Sequence, residues 1–136
     1  MTLYLDASAL VKRYLAEEGS AQVETWITSA DGVAMSRIGF VEVYRAIVIA
    51  APADVSQALD EFREDWRALT VIELRDEVAR RAGILASSLG LRSLDAIHLA
   101  SAELLLGHDM QLATWDRRLW TAARVLGLGV LPEVAP

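Results

Sequence analysis

Four acidic residues of this chain lie where a surface acid is not expected. Each interrupts or ends an apolar run, and they are Asp6, Glu42, Asp95 and Asp116. Carboxylates gathered in one pocket repel one another, and a divalent cation with oxygen ligands relieves that repulsion. If the fold brings the four side chains together, they are predicted to be the ligands of a hard metal ion.

Each acid also has a structural alternative. Asp6 could cap a helix that begins at residue 7 or 8, and Asp116 could cap the helix that follows it. Glu42 could pair with Arg45 at helical spacing, and Asp95 could be a favourable charge near a helix N-terminus. The residues by themselves leave these roles open beside metal binding.

Apolar segments that alternate with helical patterns are typical of a parallel sheet covered by helices. The strands are predicted at residues 3–5, 33–35, 71–74, 112–114 and 130–131. The chain is therefore predicted to be an α/β three-layer sandwich, with a central, mostly parallel sheet flanked by helices. Asp6 and Asp116 follow the first and fourth strands, where open parallel sheets have their binding crevices.

The helices are expected to bring the other two acids toward the same edge. Ser36 is predicted to cap a helix that runs to residue 49, which places Glu42 about two turns along it. Ser93 precedes a predicted helix over residues 94–105, with Asp95 in its first turn. Gly90 is predicted to end the preceding helix in the left-handed conformation.

Three polar side chains could support the acids. His98 follows Asp95 by three residues, so it is predicted either to make a structural hydrogen bond or to orient that carboxylate. Ser8 and Thr114 each lie two residues from a candidate ligand and could hydrogen-bond a carboxylate or only backbone groups. Trp115 is predicted in the core, although it could line the crevice.

The formal charge of −6 argues against a chain that grips nucleic acid through bulk positive charge. Four of the negative charges belong to the candidate ligands, however, so a phosphodiester substrate is not excluded. The cations are arginine apart from a single lysine, Lys12. Arg92, Arg117 and Arg118 flank the acids and are predicted as possible phosphate contacts, the alternative being solvated surface charge.

The 136 residues are expected to form a single domain spanning residues 1–136. The chain has no cysteine, which fits a reducing cytosol, and no export signal or membrane span is visible in it. We therefore expect a cytoplasmic protein with no membrane partner. Glycine-rich phosphate loops are absent as well, so a nucleotide cofactor is not indicated.

Four segments together resemble the PIN-domain ribonucleases, specifically the VapC-type toxins of bacterial toxin-antitoxin pairs. The segments are YLDASALVKRY, SRIGFVEVYRA, GLRSLDAIHLASAELL and LATWDRRLWTAARVLGL. The resemblance implies a PIN-like fold in which the four acids are the catalytic and metal-binding quartet. It also implies that Ser8 and Thr114 occupy the supporting hydroxyl positions.

The same resemblance implies Mg²⁺ or Mn²⁺, endonucleolytic cleavage of RNA, and toxicity through inhibited translation. A homodimer and a VapB-type antitoxin partner follow from it too. Two other function classes stay open: a PIN-like RNA-binding or regulatory module without significant turnover, and a phospho-accepting receiver domain. Receivers need a lysine near the end of a late strand, whereas the only lysine here is Lys12.

Overall fold

The computed structural model describes residues 1–107 and 109–136. Within them, five strands form one sheet in the order β3-β2-β1-β4-β5, and every neighbouring pair is parallel. The strands are β1 (Thr2–Leu5), β2 (Gly32–Ser36), β3 (Thr70–Ile72), β4 (Met110–Ala113) and β5 (Gly129–Leu131). The predicted fold class is confirmed, and each of the five predicted strands is present.

Helices connect the strands. They are α1 (Ala7–Leu10), α2 (Ser20–Ser29), α3 (Ile38–Ala50), α4 (Val55–Ala68), α5 (Asp76–Leu89), α6 (Ser93–Glu103) and α7 (Arg117–Val125). A 3₁₀ turn over Val11–Arg13 continues α1. In the part of the chain that the structure describes, none of these helices combines the length and the hydrophobicity needed to cross a bilayer.

The alternation of side chains along β1 divides the core into two layers. Leu3 and Leu5 are fully buried against α1, α3 and α4. Tyr4 points to the opposite face and is buried against α5, α6 and α7. Because successive strand residues face opposite sides of a sheet, both faces of β1 are covered by helices.

The central strand β1 lies between β2 and β4, so the chain order reverses at this position. In open parallel sheets, such a reversal leaves a crevice at the carboxyl ends of the strands. Asp6 directly follows β1, and Asp116 lies three residues after the end of β4. The topology therefore carries both acids to the same crevice.

The predicted capping role of Ser36 is wrong. Ser36 is the last residue of β2, where it is buried and pairs in register with Ile72 of β3. Helix α3 begins only at Ile38, and the side chain of Arg37 at its N-cap makes no capping hydrogen bond. The strand continues through Ser36 because the next N–H, that of Arg37, donates to the Ile72 carbonyl of β3 at 2.9 Å, while the Ser36 N–H is satisfied by the Tyr4 hydroxyl. Gly90 ends α5 with a φ of 64°, as predicted.

Candidate active site

Asp6 caps α1 and at the same time faces the crevice. Its Oδ1 accepts the Ala9 N–H at 2.9 Å, and only 4% of the residue is exposed. The Thr114 hydroxyl donates to Oδ2 at 2.6 Å, and the Ser8 hydroxyl lies 2.7 Å from Oδ1. Burial raises the pKa of Asp6, while the nearby His98 and these hydrogen bonds oppose that rise.

The hydroxyls of Ser8 and Thr114 couple Asp6 to the loop that follows β4. The Trp115 N–H donates to Ser8 Oγ at 2.8 Å, and the Asp116 N–H donates to Thr114 Oγ1 at 2.9 Å. Each hydroxyl therefore accepts a hydrogen bond from a backbone N–H and donates one to the Asp6 carboxylate. Both predicted hydrogen bonds to a carboxylate are present, and they fix Asp6 relative to Asp116.

Asp116 caps α7 with one oxygen. Its Oδ1 accepts the N–H groups of Arg118 and Leu119 at 2.9 and 3.0 Å. Its Oδ2 has no hydrogen-bond partner within the described ranges. The capping alternative is thus correct for Asp116, and it still leaves one carboxylate oxygen for the crevice.

Asp95 lies in the first turn of α6 and is half-buried. Burial and the negative charges of Asp116 and Asp6 raise its pKa to about 6, and the nearby Arg92 and His98 oppose that rise. A carboxyl group with a pKa near neutrality is common at functional sites, because such sites gather like charges with little solvent. Electrostatic coupling among three of the four acids follows from this shift.

Glu42 reaches the crevice from the second turn of α3, and His98 holds it there. The His98 Nε2 lies 2.7 Å from Glu42 Oε1, and its Nδ1 lies 2.9 Å from the Tyr4 hydroxyl. The Tyr4 oxygen already accepts the Ser36 N–H at 3.2 Å, and burial raises the pKa of Tyr4. Tyr4 therefore keeps its proton and donates it to Nδ1. The single ring proton is then assigned to Nε2, which donates it to Glu42.

All four predicted acids line one pocket of about 350 Å³. Its other lining residues are Ala7, Ser8, Arg92, Ser93, Leu94 and His98. The donor set consists of carboxylate oxygens that crowd one another electrostatically, and it suits a hard divalent cation. Among the described residues, the acids and histidines do not form any group of three that is close enough together to enclose a metal ion. The carboxylates share the pocket without meeting at one point.

The flanking arginines divide between two places. Arg92 lies on the rim of the acid pocket, whereas Arg117 and Arg118 line a neighbouring groove beside α7.

His98 hydrogen-bonds Glu42 and Tyr4. Its carboxylate partner is therefore Glu42 and not Asp95, which the sequence spacing suggested. Sequence reasoning missed Tyr4, whose signal is a single tyrosine within an aliphatic strand.

Trp115 packs away from the pocket and therefore does not obstruct it. Its ring lies 5.5 Å from that of Trp26 between centroids, and the ammonium of Lys12 lies 4.6 Å from the Trp115 ring. Lys12 is 91% buried and also bonds the Glu17 carboxylate at 2.9 Å. The single lysine thus braces the loop before α2 against Trp115, whose backbone N–H orients Ser8.

Gly19 is expected to be among the least replaceable residues of this brace. Its φ is 89°, and a Cβ at this position would overlap the Trp115 ring. We expect Gly19→Ala to reduce the free energy of unfolding by about 2–4 kcal/mol, since the left-handed backbone and the overlap both contribute. Thermal or urea unfolding followed by circular dichroism measures the change.

Gly90→Ala is the matched control for this prediction. Its φ is 64°, but a Cβ there would meet no atom within 4 Å. Gly90→Ala should cost only the strain of the left-handed backbone, about 1–2 kcal/mol. Equal costs for the two substitutions would show that the Trp115 contact contributes nothing.

Comparison with known proteins places this geometry in a family. Residues 3–125 match the PIN domain. Ribonuclease VapC45 of Mycobacterium tuberculosis (strain CDC 1551 / Oshkosh) is 35% identical over 96% of this chain and 94% of its own length. Ribonuclease VapC47 of the same strain is 32% identical over 92% of each chain.

Solved structures share the fold at lower sequence identity. A toxin-antitoxin complex from Klebsiella pneumoniae superimposes with a TM-score of 0.71 at 22% identity, covering 98% of this chain and 99% of that one. PAE2754 from Pyrobaculum aerophilum gives the same TM-score and identity, with 96% and 90% covered. The resemblance read from the four acidic segments is confirmed, and the chain belongs to the PIN domain family.

Proposed function

We propose that this chain is a divalent-metal-dependent endoribonuclease that hydrolyses RNA phosphodiester bonds. One observation carries the proposal: four acids from four separate segments line one pocket at the carboxyl edge of the sheet. The pKa of Asp95, raised to about 6 by burial and by its acidic neighbours, supports a pocket that attracts cations. The relatives named ribonuclease VapC support RNA as the substrate.

Mg²⁺ or Mn²⁺ would be held by the pocket acids, with Asp6 and Asp95 as principal ligands. Glu42 and Asp116 would complete the coordination directly or through water. When bound, the cation supplies positive charge that stabilises the charge developing on the phosphodiester. Among the chain's own groups, Ser8 and Thr114 fix the Asp6 carboxylate, His98 fixes Glu42, and the α7 cap fixes Asp116.

The biological role we infer is that of the toxin in a type II toxin-antitoxin pair, which inhibits translation in the cytoplasm. A VapB-type antitoxin would then block the acid pocket. The relatives named ribonuclease VapC and the structural neighbour that is a toxin-antitoxin complex support this role. We also propose a homodimer, supported by an apolar stripe on α3 where Val41, Val48 and Ile49 are 67%, 46% and 62% exposed. The apolar face of α4, by contrast, is largely buried in the core.

A second candidate is an RNA-binding or regulatory module with little turnover. The observation that favours it is the spacing of the acids, no three of which already enclose a metal position in the described residues. Both candidates use the same pocket. They differ in whether substrate supplied in excess is converted to product.

Cleavage of a mixed, structured RNA by the purified chain, freed of any partner, tests the proposal. Reactions contain Mg²⁺, Mn²⁺ or EDTA and run beside Asp6→Asn and the control Asp60→Asn. The control removes the same charge from an exposed position on α4, outside the pocket. We expect discrete products that need metal, are lost in Asp6→Asn and persist in Asp60→Asn.

Two outcomes would contradict the enzyme assignment. Cleavage retained by Asp6→Asn would place the activity elsewhere or in a contaminant. Metal binding and RNA binding without any cleavage, both weakened in Asp6→Asn, would favour the module without turnover.

A further inference from the structure

The arginines of this chain fall into two groups by their partners. Six of them form ion pairs with carboxylates, and these are Arg13, Arg37, Arg63, Arg67, Arg80 and Arg81. The other six have no carboxylate partner within 4.0 Å among residues 1–107 and 109–136, and three of them, Arg92, Arg117 and Arg118, lie around the acid pocket. In a chain of net charge −6, the gathering of three unpaired arginines around one pocket favours an external anion at that place.

Two of these arginines line a groove of about 580 Å³ beside the acid pocket. Its lining includes Leu89, Gly90, Arg117, Arg118, Thr121 and Val125. The groove lies between the end of α5 and one face of α7, and Val125 at its far end is 68% exposed. A cationic end and an apolar end occur in one channel.

The groove continues the acid pocket because the same two segments form the walls of both. One wall runs from Leu89 and Gly90 into Arg92 and Asp95, and the other runs from Asp116 into α7. From Arg117 to Val125 the helix advances by about 12 Å, which is long enough for more than one nucleotide. A strand leaving the acid pocket in this direction would meet the guanidinium groups first.

We propose that this α5–α7 groove binds the single-stranded RNA that flanks the scissile phosphate on one side. Arg117 and Arg118 contact successive backbone phosphates, and the apolar end at Leu89 and Val125 receives a sugar or base face. The inference rests on the proposed function of the acid pocket as a site for RNA. RNA is favoured over an acidic protein segment because of the continuity with that pocket.

Equilibrium binding tests the groove without requiring turnover. A fluorescein-labelled, mixed-sequence single-stranded RNA of about 12 nucleotides is titrated in EDTA at several salt concentrations, with fluorescence anisotropy as the readout. The test variant is Arg117→Gln with Arg118→Gln. The matched control is Arg45→Gln with Arg75→Gln, which removes two other exposed arginines outside the groove.

We expect the test variant to lose about tenfold in affinity and its plot of log affinity against log salt to flatten by about 1.4, since each phosphate contact on a single strand contributes about 0.7. The control should change both quantities little, and the melting temperatures of both variants should match that of the parent. A test variant that binds RNA no more weakly than the control would overturn the assignment and leave the arginines to an acidic protein segment.

The proposed function fails by a different readout. Absence of RNA cleavage by the parent chain with Mg²⁺ or Mn²⁺ would argue against the nuclease. An intact difference in RNA affinity between test variant and control would still support the groove. Cleavage by the parent together with equal affinities for test and control would reject the groove alone.

Discussion

Replacing Asp95 by asparagine is expected to abolish metal-dependent RNA cleavage and to raise the melting temperature of the metal-free protein at neutral pH. The two effects have one cause. Asp95 is half-buried beside Asp116 and Asp6, and burial and these two charges raise its pKa to about 6. Asparagine removes a charge that the proposed metal site needs and that destabilises the metal-free fold.

The sign of the pH dependence follows from the direction of the shift. Because the pKa of Asp95 rises from 3.8 to about 6 on folding, the folded state binds this proton more tightly than the unfolded state. The destabilisation of the fold by the Asp95 charge is absent below about pH 4, where the carboxyl is protonated in both the folded and the unfolded state. It develops as the pH rises toward 6 and is complete above that pH.

The size of this effect is limited by solvent, since Asp95 is only half-buried. After allowance for screening we expect about 1 kcal/mol, or a rise of about 4 °C in melting temperature. Differential scanning fluorimetry in EDTA at pH 4, 6 and 8 measures it. The gain for Asp95→Asn should be small at pH 4 and largest at pH 8, and Asp60→Asn should show no such trend.

The same melting experiment, with Mn²⁺ or Mg²⁺ in place of EDTA, tests the metal site independently of cleavage. A cation at one hundred times its dissociation constant stabilises a folded protein by about 2.7 kcal/mol. We expect most of that stabilisation in the parent chain and little of it in Asp95→Asn. A variant that melts lower than the parent at pH 8, or that keeps the metal-induced shift, would contradict the role given to Asp95.

The sheet and the convergence of the acids were predictable because they depend on local patterns. Short apolar runs after turn signals predict strands, and the chain reversal at β1 then brings strand-end residues such as Asp6 and Asp116 together. The local role of Ser36 was not predictable in this way. Whether it caps α3 or extends β2 depends on pairing with Ile72, which is a tertiary contact.

The partners of His98 and Trp115 were beyond the sequence for the same reason. His98 contacts Glu42 and Tyr4 across 56 and 94 residues of chain, and helical spacing could only suggest its neighbour Asp95. Trp115 could be placed in the core or beside the crevice until Gly19 and Lys12 were seen against its ring. Periodicity gives the face of an element but not what packs on it.

Replacing His98 by leucine is expected to lower kcat for RNA cleavage by about 100-fold while changing KM little, because groups that orient metal ligands affect metal affinity and activity by 10- to 100-fold. Leucine keeps most of the buried volume but removes the donor that holds Glu42. It also leaves the Tyr4 hydroxyl proton without its acceptor. The apparent affinity for Mn²⁺, measured by calorimetry, should fall together with kcat.

A conservative variant separates positioning from packing. The side-chain amide of His98→Gln can donate to Glu42 but reproduces the contact to Tyr4 poorly. We therefore expect it to recover part of the Mn²⁺ affinity and of kcat without recovering the melting temperature. Tyr4→Phe should lower the melting temperature while keeping the Mn²⁺ affinity and kcat. It leaves the buried Ser36 N–H without an acceptor, at a cost of about 1–3 kcal/mol, but His98 can still donate to Glu42.

If His98 served packing alone, the folded fraction of His98→Leu would keep the Mn²⁺ affinity and kcat of the parent, and only its melting temperature would fall. The geometry argues against that result, because the one ring proton available for a carboxylate points at the acid that α3 brings to the pocket. The hydrogen bond from Nε2, more than the Tyr4 contact, sets the position of Glu42.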